Sequence, residues 1–411
     1  MKKLFALVLS LAMVLCLAAC GGGSTSSAGT PAGDGETALK VGSILIGDEN
    51  EGYTYAHIKG MEAAAEAAGA EVVYKYVVPE NEACYDAAVD LMEQGCTLII
   101  SNSYGHQSYM QQFAADYPEI SVYAATGDTA NQAGLANFGN AFTGIYQARY
   151  VSGVVAGMKI AELVADGKLT DANYDADGNV KVGYVGAFPY AEVVSGYTAF
   201  YLGIKSVVSN VVMDVQYTNS WFDLIGEGEA ANALIARGCV IIGQHADSTG
   251  APSATQAAWE AGTVVYSVGY NIDMLAVAPD AALTSPTNDW AQFYTAAIEN
   301  HKAGNPVMTD WTAGYEKDAV GITDLGPNVA AGTAEKVAEV IAALKDGSLQ
   351  VFDCSTFTVG GVNPTSILVD LDGDYAGETE GVVDGVFQES SLRSAPGFTA
   401  RIDGITELNA G

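Results

Sequence analysis

Glu93-Gln94-Gly95-Cys96-Thr97-Leu98-Ile99-Ile100 is answered further along the chain by Ala236-Arg237-Gly238-Cys239-Val240-Ile241-Ile242. In both, a helical pattern stops at a Gly, the residue that most readily takes the left-handed conformation closing a helix. An apolar run follows, as a strand buried on both faces of a parallel sheet requires. Each run then enters a polar loop: Ser101-Asn102-Ser103-Tyr104-Gly105-His106 in the first copy, Gln244-His245-Ala246-Asp247-Ser248-Thr249 in the second. One helix-to-strand unit used twice implies two lobes of like architecture. Open α/β sheets bind ligands beyond the carboxyl ends of their strands, so the two loops are expected to face each other across a cleft.

On either side of these segments, β-rich runs over 41–46, 71–77, 97–101 and 121–124 alternate with helical patterns over 55–68 and 82–94. The alternation restarts with runs over 181–186, 211–217, 240–243 and 263–268 and helical patterns over 191–208, 226–237 and 253–261. This is the βαβ signature of parallel sheets flanked by helices. It divides the chain into a first α/β lobe over 38–145, completed by later crossover segments, a second over 146–285, and a crossover with C-terminal appendage over 286–411. The tail beyond Val351 has short strand-like pieces and no βαβ period. Asp175-Ala176-Asp177-Gly178-Asn179 and Asp370-Leu371-Asp372-Gly373-Asp374 read as turns, since neither has the sixth-position Gly and distal Glu of a calcium loop.

At the other end, Lys2 and Lys3 precede an apolar run over 4–19 that closes on Leu17-Ala18-Ala19-Cys20. A basic start, an apolar stretch and small residues before a cut make a secretory leader, and the run is shorter than the roughly 20 residues that span a bilayer. With a cysteine at the new N-terminus, the expectation is a lipoprotein. Residues 1–19 are removed, Cys20 carries lipid, and the Gly/Ser/Thr-rich stretch 20–37 is a flexible tether on the extracytoplasmic face of the cell membrane.

Lys plus Arg number 17 against 49 Asp plus Glu, and the net charge of −32 argues against nucleic acid and anionic lipid surfaces as partners. Besides Cys16 in the leader and Cys20, four cysteines remain, Cys84, Cys96, Cys239 and Cys354, with no C-x-x-C pair for zinc or redox work. An oxidising compartment permits a disulfide, whose pairing the sequence does not assign. The metalloprotease H-E-x-x-H, the nucleophile elbow G-x-S-x-G and a phosphate-binding Gly-rich loop ending in Lys-Ser/Thr are all absent, so no catalytic residue, metal or cofactor is expected.

The loops beyond the strands are instead rich in aromatic side chains. Gly52-Tyr53-Thr54-Tyr55-Ala56-His57 carries Tyr53 and Tyr55 after the first strand. Phe188-Pro189-Tyr190-Ala191-Glu192 does the same in the second lobe with Phe188 and Glu192, followed by Asn219-Ser220-Trp221-Phe222-Asp223 and by Asn288-Asp289-Trp290. Large aromatics beyond strand ends in both lobes are suited to clamping a flat ring. Tyr104, Trp221, Asn288 and Trp290 join that set, with Phe222 facing the core. His245 and Asp247 are placed to hydrogen-bond a polar ring edge or to cap the helix near Pro252. Arg149, in Tyr146-Gln147-Ala148-Arg149-Tyr150, is read as a carboxylate partner or a site residue.

These segments, with Ser152-Gly153 and Gly183-Tyr184-Val185-Gly186-Ala187-Phe188, resemble the basic membrane protein family of ABC-transporter substrate-binding lipoproteins, which includes purine nucleoside receptors. The similarity covers roughly 41–290. It implies a type I periplasmic-binding fold, two lobes joined by a multi-stranded hinge, with a purine-type ligand in the cleft and permease and ATPase subunits as membrane partners of a monomeric binding protein. In nucleoside-binding members an Asp and a Lys of the second lobe hold ribose, and Asp273 matches the Asp. However, Leu283-Thr284-Ser285-Pro286-Thr287-Asn288-Asp289-Trp290 has no Lys, and Gly52-Tyr53-Thr54 replaces the family's Asn-Asp. This favours a free base such as adenine, then a purine nucleoside, then another flat heterocycle such as riboflavin. An extracytoplasmic nucleoside hydrolase and a sensor or adhesin of the same fold are the rival readings.

Overall fold

The apolar runs form two six-stranded parallel sheets in the computed structural model, which describes residues 38–372 and 376–410. The leader, the lipid site Cys20 and the tether lie outside the described residues. In the first lobe, β1 (Lys40–Ile44), α1 (Gly52–Ala68), β2 (Glu71–Lys75), α2 (Ala83–Glu93), β3 (Leu98–Ser101), α3 (Gln107–Asp116), β4 (Ser121–Ala125), α4 (Ala130–Ala133) and β5 (Phe138–Thr143) follow in order. The chain then crosses through α5 (Ile145–Ala165) into β6 (Val180–Gly186), α6 (Ala191–Lys205), β7 (Val211–Tyr217), α7 (Leu224–Ala236), β8 (Ile241–Gln244), α8 (Gly250–Glu260), β9 (Tyr266–Val268) and β10 (Ala282–Thr284).

It returns by β11 (Pro286–Asn288) to add α9 (Trp290–Lys302) and β12 (Asp310–Ala313) to the first lobe, and leaves again by β13 (Val320–Ile322) for α10 (Thr333–Lys345). β11 and β13 pair antiparallel, Thr287 opposite Gly321, as a ribbon between the lobes. The tail holds two short hairpins, β14 (Leu368–Val369) with β15 (Thr379–Glu380) and β16 (Val382–Val383) with β17 (Val386–Phe387), and ends in β18 (Ile405–Glu407).

Strand orders are β2-β1-β3-β4-β5-β12 and β18-β7-β6-β8-β9-β10. Both contain the doubly wound order in which the winding reverses between the first and third strands, here β1/β3 and β6/β8, and a crevice opens at each reversal. Both copies of the quoted repeat feed the third strand of their lobe, which is why the loops after β3 and β8 lie at the crevices.

The central strands β3 and β8 are buried along their whole length because helices cover both faces, whereas the edge strands β2 and β18 are only partly covered. Val41, Leu98 and Ile100 pack under α1 and α9, while Ile99, Val122 and Phe113 fill the opposite face. The second lobe's main core includes Val154, Phe200 and Val340 and extends into the tail through Phe352, Phe387 and Phe398. α5 and α6 cross closely at Gly153 and Gly203: a Cβ on Gly153 would overlap Phe200 O, and one on Gly203 would overlap Tyr150 O. Cys84, Cys96, Cys239 and Cys354 are buried free thiols. Asp175 closes its turn by accepting from the N–H groups of Asp177 and Asn179 at 2.9 and 2.8 Å, and no helix among the described residues is long and apolar enough to cross a membrane.

Candidate functional site

A cavity opens where the two crevices meet, with about 550 Å³ of space that includes its solvent-open mouth. The first lobe contributes Ile46 beyond β1, Tyr53 at the start of α1, Ser103 and Tyr104 beyond β3 and Thr126 beyond β4; the second contributes Glu192, Trp221, His245, Asp247 and Tyr270. Thr126 has φ of +65°, an outlier for a β-branched residue. Such strain persists only where the surroundings impose it, commonly at functional sites. Tyr53 is fixed by donating its hydroxyl to Asn102 O.

Trp221 is half-buried, its edge against Phe188 at 5.1 Å, and its ring 6.1 Å from His245. Tyr270 lies on the guanidinium of Arg149 at 3.7 Å. That arginine is buried, donates from Nη1 to Tyr184 Oη at 2.9 Å and Gln244 O at 2.6 Å, and makes no ion pair among the described residues. It holds Tyr270 and the β8 terminus in place instead of neutralising a carboxylate. Across the cleft mouth, the Tyr104 and Tyr190 rings are 6.5 Å apart.

Burial, then the Arg149 charge, lowers the His245 pKa to about 4, against the opposing effect of Glu192. The contact of His245 Nε2 with Glu192 Oε1 at 3.0 Å is therefore a neutral imidazole N–H donating to a carboxylate, even though its geometry is that of an ion pair. Asp247 is pushed the other way. Its burial, reinforced by Glu51, Glu192 and Glu227 and opposed by Arg149, raises its pKa well above the usual carboxylate range. Asn271 Nδ2 donates to its Oδ1 at 2.7 Å. Burial thus disfavours the charged form of Asp247, and with the His245 imidazole beside it the second-lobe wall presents both donors and acceptors to a ligand edge.

Of the residues singled out in the sequence, Tyr53, Tyr104, Glu192, Trp221, His245 and Asp247 line this cavity. Five others do not. Phe188 stacks on Tyr190 at 5.0 Å and supports Trp221 from behind. Tyr55 points outward from α1, 40% exposed, below Lys59. Trp290 is 1% exposed and stacked on His57 at 4.1 Å in the first-lobe core. Asp273 accepts from Leu275 N at 2.8 Å in an exposed turn, and Asn288 is a buried hinge residue donating to Asn271 Oδ1 at 3.0 Å. Phe222, expected in the core, is 48% exposed.

Trp290 and Asn288 lie at and after β11, at the crossing back to the first lobe, whereas Asp273 follows β9 but sits three residues past Tyr270, in an exposed turn. Tyr55 and Phe222 sit two residues and one residue past cavity residues, where the chain has already turned away. The sequence reading does not find Tyr270, Thr126, Glu51 or Glu80, which also line the cavity. Tyr270 and Thr126 follow strands, β9 and β4, so the strand-end rule applied to every strand would have found them. Glu80 enters by tertiary folding, accepting from Ser103 Oγ at 2.6 Å and Gly105 N at 2.9 Å.

Two doubly wound lobes enclosing one aromatic cavity at their paired reversals define a two-lobe solute-binding protein. Solved structures share the fold: a solute-binding protein of an ABC transporter system from Aeropyrum pernix K1 (TM-score 0.63, 16% identity, 80% of this chain and 94% of that one) and another from Conexibacter woesei (0.60, 20%, 76% and 98%). The chain belongs to the Bmp family, the PnrA-like ABC transporter substrate-binding proteins, whose family model matches residues 40–348. Its relatives include a putative ABC transporter glucose-binding protein of Haloferax volcanii, 31% identical over 81% of this chain and 78% of the relative, and a purine-binding protein of Brucella abortus, 33% identical over 63% and 67%. Proteins of this class bind small ligands and work with membrane permease and ATPase subunits; they are not a class of enzymes.

Proposed function

We infer that this chain captures a purine, an adenine-like base or its nucleoside, by closing its two lobes on the ring and presenting the closed form to a permease on the extracytoplasmic side of the membrane. The observation that carries this reading is the pairing of Tyr53 and Tyr104 with Trp221 and Tyr270 in one cavity beside the polar side chains of His245 and Asp247. Aromatic faces stack on a base for about 1–3 kcal/mol each, and the polar wall suits its heteroatom edge. The ligand favours the closed form through contacts it makes with both lobes at once. The Brucella relative's purine-binding name supports the reading.

Titration calorimetry of residues 38–411 against adenine, guanine, hypoxanthine, their nucleosides, riboflavin and glucose tests it, with one-to-one binding of a purine expected. Glucose belongs in the panel because of the Haloferax relative's name. Binding of glucose or riboflavin with silence for every purine would replace the reading. The protein is further proposed to be a monomer held at the membrane by lipid on Cys20, so Cys20→Ala is expected to release it from the membrane fraction.

A further inference from the structure

The segment after residue 348 lies beyond the family model's span, yet it builds a wall of the cleft. Its base belongs to the second lobe: β18 pairs with β7, and Ser195 Oγ of α6 donates to Glu389 Oε2 at 2.6 Å. From there it reaches the first lobe. Arg393 Nη1 is 3.3 Å from Asp128 Oδ2, and Ser394 N donates to Asp310 Oδ1 at 2.8 Å. Between the tail and the two lobes is a second chamber, with about 1130 Å³ of open space. It shares Tyr104, Thr126, Glu192 and Trp221 with the aromatic cavity, so one molecule can occupy both.

The two spaces differ in chemistry. Around the chamber stand three carboxylates, Asp128 and Glu192 from opposite lobes and Asp370 from the tail, against one cation, Arg393, already paired with Asp128. Glu192 uses Oε1 for His245, and its Oε2 has no hydrogen-bond partner among the described residues. Arg393, with its side chain 11% exposed, keeps a buried Nε–H without a partner. Carboxylate acceptors with one spare donor match hydroxyl groups, which both donate and accept. A phosphate would bring negative charge among three carboxylates with a single, committed cation, and like charges at such range repel strongly where water is scarce.

We propose that the C-terminal segment forms a second subsite, which takes a hydroxyl-bearing substituent of the ring ligand and rejects a phosphorylated one. This rests on the reading that the ring occupies the aromatic cavity.

The test is calorimetry with adenine, adenosine and adenosine monophosphate on residues 38–411, on Thr399→Trp, which narrows the chamber from the exposed tail side, and on Asp128→Asn, with melting of each ligand-free variant as the check on folding. Adenosine is expected to bind at least tenfold more tightly than adenine and than the monophosphate. Thr399→Trp is expected to abolish the advantage of adenosine while adenine changes less than threefold, and Asp128→Asn to reduce it. Equal affinity for adenine and adenosine, or an unchanged ratio in a folded Thr399→Trp, overturns the proposal while the purine reading stands. Tight binding of the monophosphate overturns it as well. Silence for all three probes overturns the purine reading and the proposal together.

Discussion

Replacing Trp221 by alanine separates a ligand-stacking role from a packing role, because the geometry assigns different costs to each. The partly buried ring lines the cavity and meets Phe188 edge-on. Loss of one stacking face weakens base binding by about 1–3 kcal/mol, about 5- to 150-fold in Kd at 1.4 kcal/mol per decade. The ring is only partly buried, although it packs against two core clusters, so ligand-free stability should fall by less than the about 3–5 kcal/mol that truncating a fully buried tryptophan costs. Trp290→Ala is the control: buried, stacked on His57 and outside the cavity, it should carry that full folding cost. Phe222→Ala, at a position 48% exposed, should change neither quantity appreciably. Calorimetry with the best purine ligand and melting of each ligand-free variant give both readouts. If Trp221→Ala binds as well as the parent and melts as low as Trp290→Ala, Trp221 is a core residue and the aromatic clamp loses its second-lobe face.

The remaining expectations concern charge and packing. His245 is held neutral in the fold down to about pH 4, whereas in the unfolded chain it takes a proton near its ordinary 6.5. Its contribution to stability is complete above that value and is lost as pH falls through the window to about 4, an effect of at most about 3 kcal/mol; melting from pH 8 to 4 should show it, and His245→Gln should lack it. Asp247 has the opposite sign, since a raised folded pKa makes the fold less favourable as pH rises above the unfolded value near 3.8. Asp247→Asn is therefore expected to raise the melting temperature, by more at pH 8 than at pH 4, and a gain independent of pH would contradict the assignment. Gly153→Ala forces a methyl group into Phe200 O at the α5/α6 crossing, and overpacking of about 1–3 kcal/mol should appear as a lower urea midpoint.

The architecture was legible because it depends on periods that the sequence displays. Gly-closed helices running into apolar strands are local patterns, and their repetition showed two like lobes, whereas the strand order that sets the β1/β3 and β6/β8 reversals emerges only in the folded sheets. The cavity was half legible for the same reason. Tyr53, Tyr104, Trp221, His245 and Asp247 come soon after strands that border or flank a reversal, but a strand-end aromatic and a hinge aromatic look alike in one dimension, and Trp290 shows the cost of treating them alike. The charge states were not legible. His245 and Asp247 are ordinary in sequence, and only the burial they share, with Arg149 beneath Tyr270, drives one pKa down and the other up. Least legible was the tail, whose hairpins are two residues per strand and carry no period to read. Its place is set by long-range contacts, Ser195 with Glu389 and Arg393 with Asp128. Those contacts also put it where specificity can be exerted: a segment anchored in one lobe and paired to the other across the cleft bears on any ligand that reaches beyond the aromatic cavity. On the proposed reading, the lobes hold the ring while the tail selects what the ring carries.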